Sequence, residues 1–133
     1  MKVQAKTAAL IGSLLAASPV VAQTLPHRDA VQWREVGAVG DFVYSIDETS
    51  LTRDGSHLTV LLRGSAPPQP GDEINTVVGR LTLDCRQRLV GLGARDYYRE
   101  AGFVDGADEE EGLVKPTDPG QILLLDRLCA EQP

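Results

Sequence analysis

The sequence has few of the patterns that identify an enzyme or a nucleic-acid-binding protein. It contains no GxSxG nucleophile motif, HExxH zinc motif, P-loop or dinucleotide-binding glycine pattern. Basic residues are also scarce: the sequence has 13 lysines and arginines and 19 acidic residues. An acidic chain lacks the cationic face that displaces counterions from nucleic acid. We therefore expect a protein that is not an enzyme and has no nucleic-acid partner and no cofactor.

Long apolar runs are missing too, which bears on how the chain meets a membrane. The stretch near the start, Ala8–Ala17, has ten residues, whereas a membrane-spanning helix needs about 20. It follows Lys2 and Lys6 and precedes small residues that end at Ala22. This order is typical of a secretory signal peptide. We predict a leader over residues 1–22 and no membrane span. The residue after the predicted cleavage site is Gln23 and not the cysteine that a lipoprotein needs, so we expect no lipid anchor. We expect the product in the periplasm or outside the cell.

Residues 23–133 would then form one exported domain, since 111 residues suffice for one hydrophobic core. The leader holds two of the 13 basic residues and none of the acidic ones, so the net charge of the remainder is about −8. Its two cysteines are Cys85 and Cys129. Exported cysteines usually pair, so we predict a disulfide between them; two free thiols or an intermolecular bridge are the alternatives.

Most of this domain alternates between apolar and polar residues, as half-buried β-strands do. In His57–Arg63, for example, Leu58, Val60 and Leu62 share one face. A turn is predicted at Arg53–Gly55 and a proline-rich loop at Gly64–Asp72. The predicted strands cover 31–36, 42–47, 57–63, a stretch from about 74 to 85, and 88–94. For Tyr97–Gly102 a helix and an extended segment are both open.

Helical spacing occurs only near the end of the chain. Asp118 and Pro119 form a helix start, and Ile122, Leu125 and Cys129 then recur along one stripe. The fold class is therefore α+β, with an antiparallel sheet of five or six strands packed against a C-terminal helix. A disulfide from Cys129 to Cys85 would hold that helix on the sheet.

Two groups of polar residues are candidates for functional sites. Ser56 and His57 are adjacent, and on a strand they would point to opposite faces, so we do not expect a nucleophile and base pair. The acidic segment Asp105–Gly112 lacks the residue order of an EF-hand, so a solvated loop is preferred to a calcium site. We predict no metal site. Tyr97, Tyr98 and Phe103 are interpreted as core or rim residues.

Several short features together resemble the surface-adhesin protein E family of small exported bacterial proteins. They are Trp33, the strand Tyr44–Asp47, the run Asp84–Arg88 (DCRQR), Tyr98 with Gly102, and the final Cys129. The resemblance implies an antiparallel sheet joined to a C-terminal helix through the disulfide. It also implies binding of another protein, but it carries over no binding residue.

The leading functional hypothesis is an exported, non-enzymatic bacterial envelope protein that binds a protein partner through loops or a sheet edge. An inhibitor or accessory factor of an envelope enzyme is the alternative, because an acidic surface would complement a basic target. A small hydrolase is the third. A bare sheet edge would also allow a homodimer.

Overall fold

The alternating segments form one antiparallel sheet, and a single helix follows them. The structure is a computed structural model that describes residues 31–131, so the predicted leader and its cleavage site lie outside the described residues. The strands and the helix are β1 (Trp33–Val39), β2 (Phe42–Asp54), β3 (His57–Ser65), β4 (Thr76–Asp84), β5 (Leu89–Arg99), β6 (Gly102–Ala107) and α1 (Pro119–Ala130).

The six strands lie in the sheet in the order in which they occur along the chain, and every neighbouring pair is antiparallel. Short turns suffice for this topology. Gly55, with φ of 64°, adopts the left-handed conformation that the predicted turn requires. The predicted α+β class and sheet of five or six strands are therefore confirmed, with six strands present.

The strand boundaries differ from the predictions where pairing overrides local composition. β3 continues through Gly64 and Ser65, where the sequence pattern predicts loop. Gly64 pairs with Tyr44, and a Cβ on it would lie 2.6 Å from the Phe42 ring, so this glycine serves close packing. The loop itself covers residues 66–75, and the next strand begins later than predicted.

The segment Tyr97–Gly102, for which a helix and a strand were both open, is extended except for a turn at Glu100 and Ala101. β5 runs to Arg99 and forms a hairpin with β6, so three residues of the predicted acidic loop, 105–107, belong to a strand. Asn75 supports the tip of this hairpin. Its side-chain oxygen accepts from the Glu100 backbone N–H at 2.6 Å, and its backbone N–H donates to the Tyr98 carbonyl at 2.9 Å.

Helix α1 begins where the capping pattern predicted. The Asp118 carboxylate accepts from the Gln121 backbone N–H at 2.9 Å, and proline occupies the first turn. The residues facing the sheet are Gly120, Leu124, Leu125 and Leu128. No helix within residues 31–131 is long and apolar enough to cross a membrane.

The prediction that Ile122 belongs to the stripe facing the sheet is wrong, since its side chain is 42% exposed. The cause is Gly120, where a Cβ would lie 2.0 Å from the Tyr44 hydroxyl. Because the helix approaches the sheet through this glycine, Ile122 turns toward solvent. The predicted stripe residue Leu125 is fully buried, and Cys129 is partly buried against the core.

The hydrophobic core lies between α1 and one face of the sheet. As predicted, Leu58, Val60 and Leu62 are buried on that face. The full set of buried apolar residues comprises Val36, Ile46, Leu58, Val60, Leu62, Leu81, Leu83, Val90, Leu124, Leu125 and Leu128. The largest of these would each contribute about 1.5–3 kcal/mol by leaving water.

The predicted disulfide between Cys85 and Cys129 is present, with the two Cα atoms 5.5 Å apart. It joins the turn after β4 to the last turn of α1. Two arginines add polar contacts on the β1 side of the helix. Arg127 donates to the Val36 carbonyl at 2.7 Å, and Arg34 donates to Glu131 at 2.9 Å.

Removing the disulfide should strongly destabilise the protein. For the double variant Cys85→Ser, Cys129→Ser we expect the free energy of unfolding to fall by about 4 kcal/mol, because the unfolded chain regains the entropy of an open loop. Urea denaturation followed by circular dichroism measures this. Reduced wild-type protein is the matched control and should show the same loss. A change below about 1 kcal/mol in both would contradict a stabilising role for the disulfide.

Candidate functional site

The border of the sheet at β6 is an open edge with an exposed surface. β6 is the last strand of the sheet, and no strand among residues 31–131 pairs with its outer side. Its residues Gly102–Gly106 are all exposed. The chain then returns to β5, where Val90 and Val114 exchange two backbone hydrogen bonds of 2.8 and 3.0 Å. Residues Gly102–Val114 therefore form one border of the sheet, which we call the edge segment.

Exposed apolar side chains concentrate on the edge segment. Across residues 31–131, six large hydrophobic side chains are exposed, and four of them lie here: Phe103 (63% exposed), Val104 (46%), Leu113 (36%) and Val114 (57%). Exposed apolar residues that are scattered singly need no explanation, whereas large contiguous patches mark interaction surfaces, so we treat this group as a candidate site.

Phe103 is held in place although most of its surface is open. Its register partner across the hairpin is Tyr98, and the two rings make an edge-to-face contact with centroids 5.9 Å apart. Such contacts add about 0.5–1.5 kcal/mol beyond area burial. The interpretation of these residues as core or rim fits the positions observed: Tyr98 is half-buried and Phe103 lies at the rim. The β5–β6 hairpin thus presents the aromatic ring to solvent.

The same segment is strongly acidic. It contains five carboxylates and no lysine or arginine, and the carboxylates belong to Asp105, Asp108, Glu109, Glu110 and Glu111. Three of them, Asp105, Asp108 and Glu110, form no ion pair with any residue in the described part of the chain. The predicted acidic loop therefore presents negative charge beside exposed apolar side chains.

Arg95 fixes the backbone of the acidic loop. Its guanidinium, only 10% exposed, donates to the Tyr97 hydroxyl at 2.8 Å and to the carbonyl oxygens of Gly93 and Glu109 at 2.9 and 3.1 Å. It also contacts the Glu111 carboxylate at 3.4 Å. The hydrogen bond to Tyr97, and then the nearby carboxylates, raise the pKa of Arg95 against the opposing effect of burial. The sequence pattern did not reveal this anchor, because Arg95 and the loop are brought together only by the hairpin.

The carboxylates of the edge segment do not converge on one point. Within residues 31–131, no group of three or more histidine, cysteine, aspartate or glutamate side chains is arranged to hold a metal ion. The acidic residues follow one another along the chain instead. Their chemistry is that of an anionic surface.

Ser56 and His57 do meet, but through a third residue that the sequence did not single out. The Asp84 carboxylate lies 3.3 Å from the Ser56 hydroxyl and 3.6 Å from the His57 Nε2 atom. In a catalytic triad the histidine lies between the hydroxyl and the carboxylate. Here the carboxylate occupies the central position, so the cluster lacks the geometry of an activated nucleophile.

Asp84 instead organises the turn that precedes the disulfide. Its Oδ1 atom accepts from the backbone N–H groups of Arg86 and Gln87, each at 3.0 Å. The hydrogen bond from Gln87, the charge of a protonated His57, and the bonds from Arg86 and Ser56 lower the pKa of Asp84, although burial opposes the shift. An aspartate followed by a turn is the local signal that would have identified this role.

Comparisons with protein-family models, curated proteins and solved structures find no match to this chain.

The lowered pKa of Asp84 predicts a specific acid sensitivity. A group whose pKa is lower in the folded state stabilises the fold above its ordinary pKa, near 4, and that contribution is lost as the pH falls further. We therefore expect Asp84→Asn to be less stable than wild type at pH 7 and to lose less stability between pH 5 and pH 2. Urea denaturation across this range measures both slopes. Asp54→Asn, at an exposed position, is the control, and equal slopes for Asp84→Asn and wild type would refute the assignment.

Proposed function

We propose that this protein is an exported, non-enzymatic binding protein of the bacterial envelope that recognises another protein through the edge segment. The observation that carries the proposal is the concentration of exposed Phe103, Val104, Leu113 and Val114 on one border of the sheet. Open sheet edges invite pairing with other chains, and proteins usually shorten, twist or cover them. An edge that instead presents apolar side chains is best explained by a partner.

The chemistry of the edge segment suits protein recognition. Binding energy in protein interfaces concentrates in a few aromatic and other large anchors, which polar residues surround. Phe103 has the features of such an anchor, since it is 63% exposed and is oriented by Tyr98. The neighbouring carboxylates supply the polar rim.

Export is supported by the disulfide between Cys85 and Cys129, because such bonds persist in oxidising compartments. The predicted leader over residues 1–22 agrees with this. The resemblance to the surface-adhesin protein E family favours an adhesin-like role, in which the partner is a protein outside the cell or in its outer membrane.

A second candidate function is supported by charge. Asp105, Asp108 and Glu110 form no ion pair with the described residues, and they lie beside the exposed apolar side chains. A surface of this kind would complement a basic enzyme. The protein would then act as an inhibitor or accessory factor of an envelope enzyme, and the identity of the partner separates the two roles.

Capture of envelope proteins tests the proposal. Tagged mature protein should retain a stoichiometric protein from an envelope extract, and the double variant Phe103→Ser, Val104→Ser should retain at least tenfold less, because hot-spot truncations cost 2 kcal/mol or more. Ile122→Ser is the matched control, since it removes an exposed apolar side chain from α1. Thermal unfolding of each variant verifies that the fold is intact.

A retained outer-membrane or extracellular protein would support adhesion, and a retained basic enzyme would support inhibition. Equal retention by the wild type and the double variant would exclude the edge segment as the binding surface. Retention of nothing by wild-type protein would overturn the proposed function.

A further inference from the structure

We infer that the edge segment binds a basic, extended stretch of its partner as an additional strand beside β6, an inference that rests on the proposed function. Recognition would depend on three features of the edge segment. These are unpaired backbone groups, exposed apolar side chains and an excess of carboxylates.

The backbone of β6 is free to take another strand. Among the described residues, no strand pairs with its outer side, and no side chain donates to a carbonyl of Gly102–Ala107. Among residues 31–131, the only N–H of β6 that donates to a side chain is that of Gly106, to the carboxylate of its neighbour Asp105 at 2.8 Å. Addition of a strand to such an edge supplies backbone hydrogen bonds, and alternate side chains then give specificity. Six residues of β6 would pair with about 20 Å of extended partner.

The opposite border of the sheet is less suited to this role. Each edge strand has one register irregularity, which in β6 lies opposite Tyr97 and Tyr98 and in β1 lies between Glu35 and Gly37, so bulges do not distinguish the two edges. The carbonyl of Val36, at that irregularity, already accepts from Arg127 of the helix at 2.7 Å. Strand addition is therefore expected at β6.

Charge determines which kind of strand fits. The edge segment carries five carboxylates and no basic residue. Within residues 31–131, two of these carboxylates form ion pairs, those of Glu109 and Glu111, which lie 3.9 and 3.4 Å from the Arg95 guanidinium. Lysine or arginine side chains of a partner strand would meet the remaining carboxylates. A second copy of this chain would instead bring the same five carboxylates to the interface, and like charges there would repel. The occupant is therefore a basic segment of another protein.

A pair of model peptides tests strand addition separately from simple charge attraction. The probe is a blocked ten-residue peptide of alternating lysine and valine, titrated into the oxidised mature protein by calorimetry. The comparison peptide has the same side chains but is N-methylated at two adjacent central residues, which removes a backbone donor from each of its edges. We expect the methylated peptide to bind at least tenfold more weakly, and a glutamate–valine peptide not to bind. Binding should weaken as salt is raised.

Neutralising the edge should have the same effect as removing the backbone donors. The edge variant replaces the three carboxylates that form no ion pair with the described residues: Asp105→Asn, Asp108→Asn, Glu110→Gln. The matched control removes three exposed carboxylates elsewhere: Glu35→Gln, Asp54→Asn, Glu73→Gln. We expect at least a tenfold loss of lysine–valine binding in the edge variant and less than a threefold change in the control.

Equal binding of the methylated and unmethylated peptides would overturn strand addition and leave charge attraction alone. A dimer of the mature protein that Phe103→Ser dissociates would overturn it in favour of a second copy. If an envelope protein is captured through Phe103 and Val104 but the peptide does not bind, the proposed function stands and this inference fails. If the peptide binds as expected but no envelope protein is captured, strand addition is supported and the proposed function fails.

Discussion

The disulfide between Cys85 and Cys129 is the constraint on which the rest of the structure depends. It joins the turn after β4 to the end of α1, so the helix stays on one face of the sheet while Leu124, Leu125 and Leu128 fill the core. The part of the chain that it encloses contains β5, β6 and the whole edge segment. The same bond that fixes the helix thus limits how far the exposed border of the sheet can move away from the core.

Features set by local pattern were predictable from the sequence, and features set by distant contacts were not. The alternation of Leu58, Val60 and Leu62 predicted their buried face. The expected export of a domain with two cysteines predicted that they pair. β6 was not predicted, because its glycines and aspartate do not form a strand pattern. It is a strand because it pairs with β5. Ile122 was misplaced because Gly120 meets Tyr44 across the core, a contact between residues far apart in the chain. The anchoring of the acidic loop by Arg95 was hidden for the same reason.

The candidate site follows from how the fold distributes its surface. One face of the sheet is buried under α1, and β1 carries a bulge whose carbonyl is occupied by Arg127. The border at β6 also carries a register irregularity, opposite Tyr97 and Tyr98, but no side chain among the described residues donates to its carbonyls. It presents Phe103 and Val104 beside carboxylates. The negative charge opposes self-association through this border and favours a basic partner. In the proposed binding mode an open edge is compatible with an unaggregated protein, because the charge proposed to select a basic partner would also repel a second copy.

Hydrogen–deuterium exchange of the oxidised mature protein, with and without the lysine–valine peptide, tests this account most directly. It reports which backbone amides gain protection, so it locates the partner strand without any substitution. The account predicts slower exchange in Gly102–Ala107 upon binding, with unchanged exchange in Pro119–Ala130. Protection of the helix or of β1, with unchanged exchange along β6, would contradict it.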